Sequence, residues 1–386
     1  MKERFYFLDL FRGCTVALMI LVNNPGDWGH IFSPLEHASW HGCTPTELVF
    51  PFFLFAVGNS MAIVFQRSEY QEHRHFLRRT FRRTLMIFLI GLFLNWFPFI
   101  RWEGSQLVFK YWVSPENPDY GIRILGVLQR IAICYLFSAI LIHFIRDRRN
   151  LWILSTAILL SYWLICVLCA QNVDPFSMDG FFGLALDKHV LGISHMYKGE
   201  GRPFDPEGIG SSLPAIVQPV IGWIAGNYLV RKGKNYETLV HLLIAGFVLV
   251  FIGYSWDLFF PINKKIWSSS FVLYTSGIAI LVLSLLMWIY EFMNFPRRWV
   301  AFFLPFGKNP LFIFVLSGLI PRLLALFRWH VSETVFTSPL PWLYKNICKP
   351  VFSSPEFSSL LYAIVMVFFY WTIAYWLDRK RVYIKV

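Results

Sequence analysis

The chain has 386 residues, 56% of them hydrophobic and only 15% charged, with a mean hydropathy of +0.51. A soluble domain carries about 25% charged residues, so a soluble fold is excluded, and the net charge of +12 is better explained by membrane topology than by nucleic acid, which is not expected as a partner. The apolar runs are continuous instead of alternating, which argues against a porin-like barrel. The expected fold is therefore all-α, a polytopic transmembrane bundle of about ten helices. In chain order the spans fall at about 8–24, 46–66, 84–100, 123–145, 151–170, 209–230, 238–260, 267–290, 299–320 and 357–377. Pro305, Pro310, Pro321, Pro341 and Pro350 break up the stretch from 299 to 356 and predict a re-entrant or short extra helix there. No linker divides the chain, so 1–386 reads as one domain, with an outer hydrophilic excursion at about 171–208 that is suited to fold over the bundle as a lid.

Loop charges give the bundle a direction. Numbering the loops from the N-terminus puts 20 Lys and Arg on one side, including Lys2, Arg4, the arginines from Arg67 to Arg83, Arg146, Arg297, Arg298 and Lys385. The other side has 12, and the loop from Asn23 to Thr46 has none. The positive-inside rule then predicts both termini in the cytoplasm and that loop outside. Asp9 and Arg12 interrupt the first apolar stretch, so it reads as a retained span and not a cleaved signal. Among the six cysteines, Cys166 and Cys169 alone have ligand-like spacing, and on an apolar helix they read as small hydrophobes.

Ionisable groups inside spans are costly, so each is a functional candidate. Asp9 and Arg12, three apart, either neutralise each other or hold a phosphate-bearing ligand. Gln129 and Arg130 in GVLQRIAICYL, Lys308 and Asn309 in PFGKNPLF, and Asp257 lie deeper. Arg130 and Lys308 suit a polyanionic ligand, with Arg12 behind them, or else serve as structural partners of Asp9, Glu47 or Asp257.

The densest polar cluster is the outer loop with the second span, from Asn23 to Glu47. Thr44, Pro45 and Glu47 have capping-box spacing and read as the start of a helix, and Asp205, Pro206 and Glu207 read as the cap of the sixth span. His30, His37 and His41 fall in one loop. A zinc site is weighed there, but no HExxH is present, and acid/base work by one histidine with an asparagine as hydrogen-bond donor is the simpler chemistry, so no metal is expected.

FLDLFRG, LMILVNNPGDW and HASWHGCTPTELVFPFFLFAVGNSM, followed by GVLQRIAICYL, FDPEG, PINKKIWSSSFVLYTSG and FGKNPLFIFVLS, resemble in order the transmembrane heparan-alpha-glucosaminide N-acetyltransferase family and its bacterial relatives. The resemblance implies acetyl transfer from acetyl-CoA to the amine of a glucosamine-type sugar or glycan across the membrane. It maps the family's active histidine onto His37 and its asparagine onto Asn23. It also implies a bacterial-type member in a cytoplasmic membrane, with the catalytic loop facing the periplasm, surrounded by membrane lipid and able to form a homodimer. Asp27, Trp28 and Trp40 are the expected sugar contacts, with interfacial anchoring as the alternative for the two tryptophans. A sugar or anion transporter and an O-acyltransferase of an envelope glycan are the competing functions.

Overall fold

The computed structural model describes residues 5–66, 72–145, 147–170, 173–293, 297–332 and 335–384, and of 297–299 the backbone only. Lys2, Arg4, Arg67, Arg146 and Lys385 lie outside the described residues, as do residues 171 and 172 of the excursion and the side chains of Arg297 and Arg298.

Helices dominate. Among the described residues, eight are long and apolar enough to cross a membrane, and a bent pair makes a ninth. In chain order these are α1 (Tyr6–Asn23), α2 (Val49–Val64, entered through a 3-10 turn at Pro45–Leu48), α4 (Val127–Phe144), α5 (Arg148–Cys169), α7 and α8 (Ile209–Ala215 and Val217–Lys232, one span), α9 (Tyr236–Trp256), α10 (Ser269–Met287) and α14 (Pro355–Arg379). Between them stand α3 (His73–Trp96), whose first half is rich in arginine and whose second half is apolar, and α6 (Phe182–Leu191) in the excursion. The chain is an integral membrane protein.

Local chemistry sets the helix starts. Asp147, Asn235, Ser268 and Ser354 each accept a backbone N–H from the first turn of α5, α9, α10 and α14, as N-cap residues do. The proline-rich stretch gives α11 (Arg297–Lys308) and α12 (Pro310–Leu324), bent by 82°. Pro310 lacks an N–H and disfavours helical geometry at Asn309, which sits at φ −130°, ψ 47°. The Asn309 amide is used elsewhere, donating to Val382 O at 3.0 Å and accepting from Ile384 N at 2.9 Å. The expected short extra helix is α13 (Pro339–Leu343).

α1 is central, packed against α2, α10, α11, α12 and α14, whereas α5 and α9 are mostly exposed along their length, as befits lipid-facing helices. Close approach depends on glycine. A Cβ on Gly58 of α2 would lie 2.0 Å from Pro219 O, and one on Gly222 of α8 would lie 2.2 Å from Phe55 O, so these two backbones pack in direct contact. Two short hairpins, Ile100–Glu103 with Gln106–Phe109 and Trp329–His330 with Phe336–Thr337, lie at the end away from the termini, where Arg328 stacks on Trp102 and Phe336.

Candidate active site

The loop between α1 and α2 is irregular, and it is pinned to the start of α2 by hydroxyl groups. Thr46 Oγ1 donates to Leu35 O at 2.8 Å, and the Thr44 hydroxyl lies 2.7 Å from Glu36 O and 2.5 Å from Glu47 Oε2. These contacts fix the backbone just ahead of His37. Glu47 Oε2 also accepts the Thr44 N–H at 2.9 Å, completing the capping box, while Glu47 Oε1 lies 2.6 Å from His37 Nδ1. The Glu47 side chain is 3% exposed and that of His37 45%. A buried carboxylate at Nδ1 favours the tautomer protonated there, which leaves Nε2 with a free lone pair for proton abstraction. The cap and the histidine's orientation thus depend on one carboxylate.

His37 and Glu47 line an outer cavity of about 250 Å³ together with Trp40, Arg123, Tyr197, Glu200, Glu207, Lys264 and Lys265. The excursion supplies one wall. Trp40 Nε1 donates to Phe176 O at 2.8 Å, and Lys265 Nζ bridges Glu200 (2.5 Å) and Ser39 O (2.9 Å). Arg123 binds Asp205 through two nitrogens, at 3.0 and 2.6 Å, also contacts Glu207, and lies over the Tyr197 ring. Burial opposes the charge on Glu207, but Arg123 and then Arg130 outweigh it and hold the carboxyl below the usual range. Lys264 sits on a tightly held turn: the Asn263 side chain accepts the N–H groups of Lys265 and Ile266, and Tyr162 donates to Ile266 O. Trp267 at φ +54° is in the left-handed region, a conformation that costs a bulky residue about 1–3 kcal/mol and persists only where the surroundings over-determine it.

Two further cavities continue inward. A middle one of about 250 Å³ is lined by Asn23, Asn24, Asn95, Gln129, Ser317 and Arg322 and shares Arg123 and Val127 with the outer cavity. An inner one of about 140 Å³ is lined by Arg12, Ser60, Arg83 and apolar side chains, and shares Leu128 and Phe314 with the middle cavity. The three lie in series along α4. Arg12 and Asn23, eleven residues apart on α1, mark a depth of about 16 Å at 1.5 Å per residue.

Residues 4–192 match the family model described as "Heparan-alpha-glucosaminide N-acetyltransferase, catalytic". Two curated relatives are 25% identical: the heparan-alpha-glucosaminide N-acetyltransferase of Homo sapiens, over 443 residues covering all of this chain and 60% of the relative, and that of Mus musculus, over 389 residues covering 86% and 56%. Just under half of the chain is thus similar to the catalytic segment of the heparan-alpha-glucosaminide N-acetyltransferase family. It spans about 60% of the length of the relatives it matches. The matched catalytic segment of the N-acetyltransferase family contains Asn23, His37, Glu47, Arg83 and Arg123, while Lys264 lies beyond it.

The structure separates residues that the sequence suggested together. His37 lines the outer cavity and Asn23 the middle one, across the shared Arg123 and Val127. Trp40 lines the outer cavity, but Trp28 is exposed, and Asp27 is engaged by Gly29 N, His30 Nδ1 and Ser359; neither lines any of these cavities. The three histidines have different partners: His30 faces Asp27, His37 faces Glu47, and His41 lies 3.3 Å from Asn263.

Of the three expected donor-site cations, Arg12 alone reaches one of these cavities, while ion-paired to Asp9. Arg130 is fully buried away from them, donating to Gly208 O and Ser211 Oγ and lying over Trp267, where it braces α4 against α7. Lys308 binds both oxygens of Asp378 at 2.7 Å and ties the α11–α12 bend to α14. These are the structural-partner alternatives, with partners other than those considered. Asp205 and Glu207, expected to cap the sixth span, are taken by Arg123; Asp187 of α6 accepts the Ile209 N–H at 2.7 Å instead. Arg83 went unrecognised although its register is visible: it falls on the stripe Phe76, Thr80, Thr84, Ile87, Gly91 and Leu94 that α3 buries.

Proposed function

We propose that the chain is a membrane-embedded acetyltransferase that moves acetyl from acetyl-CoA, bound from the cytoplasm, to the amine of a glucosamine-type sugar on the opposite side of a bacterial cytoplasmic membrane. The observation that carries this reading is the series of three cavities running from Arg12 and Arg83 to the His37–Glu47 pair. CoA is polyanionic, and guanidinium groups are well suited to its phosphates. The inner cavity offers two of them next to apolar walls that suit an extended thioester arm, and the polar middle cavity follows. The outer cavity has the chemistry for the acceptor: carboxylates for a cationic amine, an aromatic face at Trp40, and a base at His37.

An amine attacks a thioester only in its neutral form. In the direct route the nitrogen lone pair forms the C–N bond while His37 Nε2 takes the amine proton, and Glu47 stabilises the resulting imidazolium. Collapse expels the CoA thiolate, which leaves protonated. In the alternative, the Nε2 lone pair displaces the CoA thiolate and carries the acetyl group; the amine then displaces Nε2, which takes up the amine proton and passes it to the thiolate. Labelled acetyl-CoA without acceptor tells them apart, since only the second leaves label on His37.

The primary test is acetyl-CoA-dependent acetylation of a panel of amino sugars by the purified protein, with the product identified by mass and linkage. N-acetylated amino sugar formed by the wild type, and lost in His37→Ala, is the expected result. O-acetylated product, or no transfer with any acceptor, overturns the reading.

A further inference from the structure

The outer cavity has a base but, as described so far, no assigned group for the oxygen that becomes negative when the amine adds to the thioester. Asn23, the donor implied by the family resemblance, lines the neighbouring cavity instead. Among the described residues three basic side chains, Arg123, Lys264 and Lys265, line the outer cavity, and two are already committed. Arg123 is held by Asp205 and Glu207, and Lys265 by Glu200 and Ser39 O. Lys264 is different: among the described residues its side chain makes no hydrogen bond and no contact ion pair, yet it lines the same cavity as His37 and lies in the fields of Glu47 and Glu207. Its backbone is fixed by the Asn263 and Tyr162 contacts. A cation on a rigid turn, uncommitted and facing a half-enclosed cavity, is preorganised to receive charge that exists only during the reaction.

Resting on the acetyltransferase reading, we propose that Lys264 is the oxyanion-stabilising group of the outer cavity. As the amine lone pair forms the C–N bond, the carbonyl π pair moves onto oxygen and is met by the Lys264 ammonium, while His37 takes the amine proton. When the C–S bond breaks, the pair returns from oxygen to carbon, and the thiolate recovers the proton from His37. Lys264 stays protonated throughout. The same role holds if the acetyl group first rests on His37, because that step passes through the same tetrahedral oxygen. Burial lowers the lysine's affinity for its proton, and the opposing pull of Glu47 and Glu207 offsets this only in part.

The competing role is passive, with Lys264 only balancing the charge of Glu47 and thereby steadying His37. Kinetics of Lys264→Met in the wild-type and Glu47→Gln backgrounds separate the two. Loss of one oxyanion donor costs about 10²–10³-fold in kcat. That loss is expected with KM for both substrates within threefold, with at least tenfold of it persisting in the Glu47→Gln background, and with Lys264→Arg recovering at least tenfold over Lys264→Met. A loss below tenfold in either background overturns the proposal. Lys264→Gln replaces Lys264→Met should the apolar variant fail to fold, judged by thermal unfolding in detergent. Inactivity of the wild type toward every amine refutes the acetyltransferase reading itself; an active wild type with an active Lys264→Met refutes only this assignment.

Discussion

Replacing Glu47 by Gln tests the central geometry with the least structural disturbance. The side chain keeps its volume, and its amide oxygen can still accept the Thr44 N–H that Glu47 Oε2 accepts at 2.9 Å, so the start of α2 is preserved. What changes lies 2.6 Å away at His37 Nδ1. An amide NH₂ turned toward that nitrogen demands a lone pair there and forces the proton onto Nε2, the atom proposed as the base. Glu47 also loses its charge. Two unit charges about 4 Å apart interact by about 4 kcal/mol at an effective dielectric of 20. At about 1.36 kcal/mol per decade that is about 10³ in rate, and a wrongly fixed tautomer alone has cost about 10⁴ in a serine protease. The expected loss in kcat is therefore about 10²–10⁴-fold, with acetyl-CoA binding intact. Release of the CoA thiol, followed with a chromogenic disulfide at saturating acceptor, reads it directly. In the His37→Ala background the same substitution is expected to cost nothing more. Activity within threefold of wild type, or an equal loss with and without His37, would falsify the pairing as the catalytic device.

Arg83→Gln is expected to raise KM for acetyl-CoA about tenfold or more with kcat little changed, because its guanidinium lines the inner cavity with one buried nitrogen unsatisfied; isothermal titration with CoA checks it, and unchanged affinity refutes the inner cavity as the donor site. Burial pushes the Asp187 carboxyl up to about 7. The folded state therefore binds the extra proton between the ordinary aspartate range and about pH 7, so this group's contribution to stability falls as pH rises through that window and levels off above it. Asp187→Asn keeps an acceptor for Ile209 N and is expected to raise the thermal midpoint relative to wild type at pH 8 but not at pH 4, with equal midpoint differences at both counting against it. Gly58→Leu is expected to lower the midpoint strongly, since even a Cβ there would meet Pro219 O at 2.0 Å and the amide of Trp223 at 2.6 Å; a midpoint within a few degrees of wild type would show that α2 and α8 can separate without penalty.

The helices were legible because they obey length and composition: nine expected spans have counterparts in the eight long helices and the bent pair, and the remaining one, 84–100, corresponds to the apolar half of α3. His37 was legible because a histidine beside the membrane, in a loop with no soluble core to bury it, needs a use. Its partner was not. Glu47 looks fully explained by the capping box, and only the fold reveals that its second oxygen is free to meet a ring ten residues back along an irregular loop. Arg130 shows the converse limit. Depth in the bilayer says that a cation must be compensated, but not whether a ligand or the Gly208 carbonyl compensates it. Lys264 stood only in the count of outer charges and inside the PINKKIWSSSFVLYTSG segment, since being uncommitted is a property of its surroundings.

One short segment explains why the intramembrane polar residues differ in role. The run Gly126 to Ile131 opens α4, and successive side chains on it point about 100° apart. Val127 lies where the outer and middle cavities meet, Gln129 faces the middle cavity, Leu128 lies where the middle and inner cavities meet, and Ile131 lines the inner one. Arg130 turns away and anchors the helix to α7 and Trp267. The wall of the path and its brace are thus neighbours in sequence, and moving the wall would break a fully buried guanidinium from its acceptors, which is costly. Arg123 adds a second brace through Asp205 and Glu207, and Lys308 with Asp378 a third. A transporter must open its path alternately to each side by moving repeats or bundles against one another. A wall held at three points by charged contacts favours the other solution, in which the bundle stays still and only an acyl group on a thin arm makes the crossing.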